Sequence, residues 1–317
     1  MKEQKPYVKA TSDIFIKYLF GMDTKESDNL VISFINAVLI DSDFPEITKV
    51  IQKNPFNYKI FSTDKLSVLD IEVEDENHKL YNIEVQSSGN THFRNRALYY
   101  WAKLYTSQGR EGDLYDNLLP SIGINILDFT LFQELPAFHN FFIIAEGRKR
   151  EYILTDQLII HFLEIPKVKN KEISSKMISW LLYLKAEGKD NNMLKILLEN
   201  DEDLKSAHEM YKAFNSNDKL RRYALSREKA ENDRKHFLHM ARKQGLEEGR
   251  QEGRQEGREQ GGLEERHNVL IRLLELKYSL TADERKHIFS VTDFKKLDAA
   301  LDAVVLANDK EDVLKQL

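Results

Sequence analysis

Apolar and polar residues alternate from residue 66 to residue 86, and this period of two predicts β-strands there. Before this stretch, apolar residues recur at helical spacing, around Ile14 and again in Val31–Val38. Thr11 or Ser12 is the expected N-cap of the first helix, because a short hydroxyl side chain can accept a bond from a free backbone N–H. The first part of the chain therefore mixes helices with strands.

A further helix is expected from Thr91 to Gln108, followed by three strand-like apolar runs. These runs are Ser121–Phe129, Asn140–Ala145 and Leu158–Ile165. Pro166 ends the last run, since proline cannot donate a hydrogen bond to a strand ladder. Helices and strands in this order predict an α/β core.

Only helical patterns follow Pro166. An apolar face in Ile173–Leu184 predicts one helix, and Gly188 stands where its C-cap is expected. The segment Lys219–Lys243 holds nine Lys or Arg residues against three Asp or Glu residues. It forms either a DNA-contacting helix or a solvated charged face.

Glycines then recur at every fourth position: Gly245, Gly249, Gly253, Gly257 and Gly261. Small residues at this spacing permit close packing of two helices, yet each glycine costs a helix about 1 kcal/mol relative to alanine. A flexible charged linker and a close-packed homodimer helix therefore both remain open. Farther on, Thr281 and Glu284 form a capping-box pattern, and an apolar stripe in Phe294–Val304 predicts a late helix.

These patterns divide the chain into four expected parts. They are an α/β domain at 1–168, a helical extension at 169–218, a charged helix, linker or coiled coil with the glycine repeat at 219–262, and a small helical unit at 263–317.

The alternating stretch also predicts the register of a hairpin. The favoured pairing sets Val73 beside Tyr81 and Ile71 beside Ile83, because a slip by one residue would place apolar side chains on the polar face. A short polar connection around Asn77 joins the strands, and asparagine tolerates the left-handed conformation that such turns require.

The same register, continued by one residue, predicts that Asp70 lies opposite Glu84, with Gln86 on the same face. Two opposed carboxylates repel each other unless a cation lies between them, and Mg²⁺ is commonly held by one or two carboxylates with water and phosphate. A metal in that place can lower the pKa of bound water and stabilise charge on a phosphate. The alternative is a solvated polar face on a two-stranded ribbon.

A strand Asp, a hairpin and a strand Glu-X-Lys form the core of PD-(D/E)XK nucleases, and this chain has Glu-Val-Gln in place of Glu-X-Lys. With the segments SDIFIKYLF, VLDIEVED and NRALYYWAKLY, the chain resembles the Rpn group of recombination-promoting nucleases, also described as transposases of the PD-(D/E)XK family. The resemblance covers residues 8–165 and extends loosely to the glycine repeat. It implies a restriction-endonuclease-like α/β core with a helical C-terminal extension.

The resemblance also implies roles for individual residues. Asp70 and Glu84 match the metal-binding acids, and Gln86 stands at the position of the usual catalytic lysine. An acid on the first helix sometimes joins the metal shell in this fold, and Asp13 is the matching residue. Alternatively, Asp13 complements the positive end of the helix dipole. The implied cofactor is Mg²⁺ or Mn²⁺.

The stretch HFRNRALYYWAKLY joins Arg94 and Arg96 with several aromatic residues. Both arginines are candidates for DNA phosphate contacts because they closely follow the active-site strand. The aromatic residues either orient a DNA strand or cover the sheet as part of an amphipathic helix, and the second interpretation is favoured for most of them.

Composition narrows the chemistry. The chain has no Cys, which excludes disulfides, cysteine zinc sites and thiol nucleophiles. Its net charge of −5 requires any DNA-binding surface to be a local basic patch. Neither an apolar run of membrane-spanning length nor a secretory signal is recognised, so a cytoplasmic location without a membrane partner is expected.

The sequence thus predicts a Mg²⁺-dependent DNA endonuclease that hydrolyses phosphodiester bonds and promotes recombination. The expected partners are DNA and a second copy of the chain, bound through the C-terminal helical region. Two alternatives remain. One is a degenerate nuclease fold that acts as a DNA- or protein-binding regulatory module, and the other is an interaction protein that works through its C-terminal helices.

Overall fold

A computed structural model describes residues 7–56, 71–87, 89, 92–109, 114–169, 173–186 and 192–317. The chain forms two compact units, Met1–Ala230 and Glu231–Leu317. The expected boundaries of the four sequence parts stay predictions. Within the described ranges, no helix is both long and apolar enough to cross a membrane.

In its described residues, the first unit contains six strands and the helices that pack on them. The strands are β1 (Val50–Gln52), β2 (Ile71–Asp75), β3 (Leu80–Gln86), β4 (Ser121–Leu127), β5 (His139–Ala145) and β6 (Ile153–Glu164). The helices that lie wholly within this unit are α1 (Asp13–Phe20), α2 (Lys25–Ile40), α3 (Phe93–Thr106), α4 (Lys176–Lys185), α5 (Asn192–Asn200) and α6 (Glu202–Ser216). This order confirms the predicted α/β class.

One six-stranded sheet organises the unit, in the order β1-β2-β3-β4-β6-β5. β3, β4 and β6 run parallel, while the pairs β1–β2, β2–β3 and β5–β6 are antiparallel. Every residue of β4 is buried, as expected for a parallel strand covered on both faces. The sheet therefore has a buried centre, and among the described strands β1 and β5 form its two open edges.

Helices cover the two faces of the sheet differently. The main hydrophobic core joins one face to α1, α2, α4 and α6, with the fully buried Trp180 and Phe34 among its largest side chains. α3 covers the other face through Phe93 and Ala97, which pack near Phe162. The polar alternate residues of β2 and β3 point to this second face.

The predicted hairpin register is confirmed where it is described: Ile71 pairs with Ile83, and Val73 pairs with Tyr81. The turn differs in detail, because His78, not Asn77, has the left-handed backbone with φ 62°. The carboxylate of Asp75 accepts bonds from the backbone N–H groups of Asn77 and Lys79, which closes the turn. The predicted strand residues 66–70, including Asp70, lie outside the described residues.

Several predicted boundaries hold within a few residues. Ser12 is the N-cap residue of α1, although its side chain makes no capping hydrogen bond, and α3 occupies most of the helix expected from Thr91 to Gln108. β6 begins five residues before the predicted Leu158, because its first residues pair with the end of β5 in a hairpin that carries bulges. Gly188, the expected C-cap of α4, lies outside the described residues.

The second unit has its own hydrophobic core. Its helices are the C-terminal part of α7 (Asp218–Lys277), α8 (Ala282–Ser290), α9 (Phe294–Leu306) and α10 (Lys310–Leu314). The predicted stripe on α9 supplies the buried Leu297 and Val304. Thr281 and Glu284 form the predicted capping box at the start of α8.

The glycine repeat is part of the helix α7. A Cβ added at any of its five glycines, Gly245 to Gly261, would meet no atom within 4 Å among the described residues. Nothing in the described chain therefore packs closely against this stripe, and a homodimer through the C-terminal helical region stays a prediction.

A chain of polar side chains crosses the core side of the sheet near β5. Nδ1 of His139 lies 2.7 Å from Oδ2 of Asp41, and its Nε2 lies 3.0 Å from Nδ1 of His161. His161 is fully buried, and its Nε2 has no hydrogen-bond partner among the described residues. Burial, with a smaller contribution from His139, lowers the pKa of His161 to about 3.

This low pKa predicts a pH-dependent stability. A histidine whose folded-state pKa lies below its unfolded value stabilises the fold above about pH 6.5, and the stability is lost as the pH falls toward 3. Between pH 6 and pH 5 we expect a loss of up to about 1.4 kcal/mol in the free energy of unfolding. His161→Asn, which retains a donor near Nδ1, should flatten this slope in urea denaturation, while His236→Asn at an exposed position should not. An equal slope in wild type and His161→Asn would contradict the assignment.

Candidate active site

Glu84 and Gln86 lie at the C-terminal end of β3 and point to the face covered by α3. Glu84 is only 7% exposed, although it is a carboxylate at the centre of a sheet. Its neighbour across the parallel pairing is Asn125 on β4, and Asn82 precedes it on the same face. Both asparagines are buried, and Oδ1 of Asn82 has no hydrogen-bond partner among the described residues. Asn82, Glu84 and Asn125 thus form a row of polar side chains at a buried position, where apolar side chains would cost less free energy.

Arg96 on α3 supplies the positive charge for this row. Its Nη2 donates to Oε1 of Glu84 and to Oε1 of Gln86, so a carboxylate oxygen and an amide oxygen meet at one cationic nitrogen. The guanidinium also lies 5.1 Å from the ring centre of Phe93 and 5.5 Å from that of Tyr100. Side-chain exposure is 38% for Arg96 and 8% for Glu84, which places the arginine between the buried carboxylate and solvent.

A second cation lies near the start of β2. Lys17 on α1 is 3% exposed, and its Nζ donates to Oδ1 of Asn54 at 2.8 Å. The same Oδ1 accepts the backbone N–H of Glu72 at 3.1 Å. This link fixes the first residues of β2, directly after Asp70 in the sequence. The predicted opposition of Asp70 and Glu84 itself lies outside the described residues.

Asp13, the possible additional metal ligand, has two partners. One carboxylate oxygen accepts the backbone N–H of Ile14 at 2.7 Å, and the other accepts from Nε of Arg227 at 3.0 Å. The first contact is typical of an acid in the first turn of a helix. The second ties α1 to the beginning of α7.

The remaining candidates on α3 divide between core and surface. Arg94 is exposed, lies 4.7 Å above the ring of Phe132 and donates to the carbonyl of Leu131 at 3.3 Å. Trp101 packs against the sheet, and its Nε1 donates to the carbonyl of Ser121, whereas Tyr99 is 64% exposed. The helix therefore covers the sheet, as favoured by its pattern, and still presents Tyr99 and Arg94 at its surface.

The chemistry of the donor set fits a divalent cation. Carboxylate and amide oxygens are the ligands that Mg²⁺ takes in proteins, and here one of each meets at a single positively charged atom. Glu84 and Gln86 could therefore each supply an oxygen ligand to such a cation. Among the residues described, no group of three or more His, Cys, Asp or Glu side chains could hold a metal by itself.

The contact of Arg96 with Glu84 and Gln86 has no signal in the sequence pattern, and neither do Lys17 and Asn54. The position of Arg96 after β3 indicated only a candidate for phosphate binding. Glu84 and Arg96 are 12 positions apart, and their contact depends on how α3 packs over β3. For Lys17 the sequence shows one charged residue in an amphipathic helix, which gives no sign of burial.

Comparison with known proteins identifies one family. The family model described as PD-(D/E)XK nuclease family transposase matches residues 10–241, which include the whole sheet, α3 and the start of α7. Neither the curated proteins nor the solved structures gave a match.

The site geometry predicts different effects for the two arginines of α3. Arg96→Met keeps the aliphatic stem over the rings but removes the cation, and should lower the free energy of unfolding in EDTA by about 1–2 kcal/mol, because the pair is partly solvated. Arg94→Met is the matched control and should cost little. Thermal melts with and without Mg²⁺ measure both effects.

Added Mg²⁺ should stabilise the Arg96→Met protein more than the wild type, because the metal no longer competes with the guanidinium for the two oxygens. Equal losses in Arg94→Met and Arg96→Met, or an equal response of wild type and Arg96→Met to Mg²⁺, would contradict the exchange of one cation for the other.

Proposed function

Because the chain belongs to the PD-(D/E)XK nuclease family transposases, we propose that it is a Mg²⁺-dependent endonuclease that hydrolyses DNA phosphodiester bonds. The observation that carries the proposal is the meeting of Glu84 and Gln86 oxygens at one cationic nitrogen of Arg96. A buried carboxylate at the end of a central strand has a large desolvation cost, and a bound cation offsets it. Family membership itself supports a nuclease-like function.

Asp70 and Glu84 are the proposed acidic ligands. The hairpin register predicted from the sequence, which the described residues from Ile71 onward follow, would set Asp70 opposite Glu84. The link from Lys17 through Asn54 to the backbone of Glu72 would hold the start of β2 in a fixed position relative to α1. Both acids would then point to the face under α3. A bound Mg²⁺ supplies a water of lowered pKa and charge stabilisation at the phosphate.

Gln86 and Arg96 share the proposed task of the lysine that most relatives of the superfamily carry. A neutral amide at position 86 can orient water or ligate the metal, but it brings no positive charge. Arg96 brings that charge from the opposing helix. Glu84 and Gln86 would hold the metal through these two oxygens, and Arg96 would then donate to the scissile phosphate, because its rigid fork of N–H donors suits phosphate oxygens.

DNA is the proposed partner, and the outer surface of α3 is its proposed contact. The net charge of −5 confines DNA binding to a local surface. Arg94 and Tyr99 lie exposed on the helix that also carries Arg96, so phosphate contacts there would place the strand beside Glu84. A role in promoting recombination would follow from cleavage of this kind.

A regulatory DNA- or protein-binding module is the second candidate. Two observations favour it: Gln86 stands in place of a catalytic lysine, and Arg96 already neutralises Glu84. In that case the guanidinium would act as a permanent substitute for the metal. DNA binding that is indifferent to Mg²⁺, without cleavage, would identify this function.

Cleavage of supercoiled plasmid tests the nuclease proposal. Wild-type protein should nick the plasmid with Mg²⁺ and not with EDTA. Asp70→Asn and Glu84→Gln should each lower the rate by about 100-fold or more, since each removes a proposed metal ligand. Glu74→Gln is the control on the same strand face, because Glu74 is paired with Lys53 at 2.7 Å.

Gln86 variants test the division of roles. Gln86→Lys should retain more activity than Gln86→Glu, because the second adds negative charge beside the phosphate, and Gln86→Ala should fall between wild type and Asp70→Asn. Activity of Asp70→Asn equal to that of folded wild type would exclude the assigned site. Full activity of Gln86→Ala would show that Gln86 is only a strand residue.

A further inference from the structure

The two open edges of the sheet differ in length and in the charged residues around them. β1 has three residues, and Lys49 and Lys53 flank it on both sides. The carboxylate of Glu76 accepts the backbone N–H groups of Thr48 and Lys49, which ties the start of β1 to the end of β2. Short length and flanking lysines are devices that keep an edge strand from pairing with another chain.

β5 lacks these devices. Its seven residues, HNFFIIA, contain no Lys, Arg, Asp, Glu or Pro. Phe141, Phe142, Ile143 and Ile144 are 41%, 39%, 37% and 37% exposed. Side chains of successive strand residues point to opposite faces, so exposure of one face alone would alternate. The nearly equal exposure of these four successive side chains therefore reflects the side of β5 that does not pair with β6.

The backbone of β5 is also available at that side. The N–H of Glu164 donates to the carbonyl of Phe138. Phe138 and Glu164 therefore form a hydrogen-bonded pair of the β5–β6 ladder, in which the backbone groups of Phe138 point toward β6. Because such pairs alternate in antiparallel sheets, Asn140 and Phe142 bond inward, while Phe141 and Ile143 direct their N–H and C=O outward. No backbone group of the described turns and loops bonds to these two residues.

The composition of the surface fits a second copy of the same strand. We estimate roughly 300 Å² of exposed apolar surface on the four β5 side chains, at about two fifths of a large side chain each. Two copies that cover these side chains would bury roughly 600 Å², which is the size of a weak contact, so the association should depend on protein concentration.

We propose that β5 is a homodimer interface, in which two copies pair antiparallel through this edge and form one continuous twelve-stranded sheet. An uncharged apolar strand is complementary to itself, as a two-fold interface requires. Pairing centred on Phe142 sets each Phe142 beside its symmetry mate and each Phe141 beside an Ile143. The bulges between Ile143 and Ala145 end the regular pairing, which limits the ladder to the first part of the strand.

Sedimentation of the full chain tests the interface. Wild type should associate, and Ile143→Lys should weaken that association by about tenfold or more, because each lysine would lie against an apolar Phe141 and diagonal to the lysine of the other copy. Ile51→Lys is the matched control, since Ile51 is a 49% exposed isoleucine on the other edge strand, and it should leave the mass unchanged. An additional interface elsewhere would leave Ile143→Lys as a dimer and wild type as a tetramer, which still supports the proposal.

Cross-linking provides a test that does not depend on a lysine being tolerated. The chain has no Cys, so one introduced cysteine is the only thiol. Ile143→Cys should give covalent dimers with a short bis-maleimide, in higher yield than Ile51→Cys. A monomeric wild type, an equal mass for wild type and folded Ile143→Lys, or equal cross-linking at positions 143 and 51 would overturn the proposal.

Discussion

A carboxylate buried at the centre of a sheet needs a positive charge, and the arrangement around Glu84 follows from that need. Desolvation of an isolated carboxylate costs several kcal/mol, so the fold must bring a cation to it or leave it protonated. The parallel connection from β3 to β4 passes through α3, and this helix carries Arg96 across the face on which Glu84 points. The aromatic rings of Phe93 and Tyr100 hold the guanidinium in place.

The same need gives the site its proposed chemistry. A cation that satisfies Glu84 and Gln86 through their oxygens can be exchanged for another cation, and a divalent metal has more charge on fewer atoms. On our proposal the site thus has two states. In one, the guanidinium of Arg96 bonds to Glu84 and Gln86, and in the other a metal ion would bind to the same two oxygens. The side chain of Arg96 is 38% exposed, so it borders solvent on the side away from Glu84.

Much of the fold could be predicted from the sequence, because hydrophobic periodicity determines which face of an element is buried. The hairpin register followed from Ile71, Val73 and their partners, since a slip would have buried polar groups. Contacts between distant segments could not be predicted in this way. The link of Arg96 to Glu84 depends on the position of a helix over a strand, and that of His139 to His161 joins residues 22 positions apart on neighbouring strands. The proposed role of Asp70 rests on extending a described register.

The most direct test of the exchange is the position of a bound metal. Crystals of the wild-type protein soaked with Mn²⁺ would show the ion by its anomalous scattering. The account predicts a peak coordinated by the side-chain oxygens of Glu84 and Gln86, with the guanidinium of Arg96 displaced from both. A Mn²⁺ ion bound elsewhere, with Arg96 still bridging Glu84 and Gln86, would contradict it.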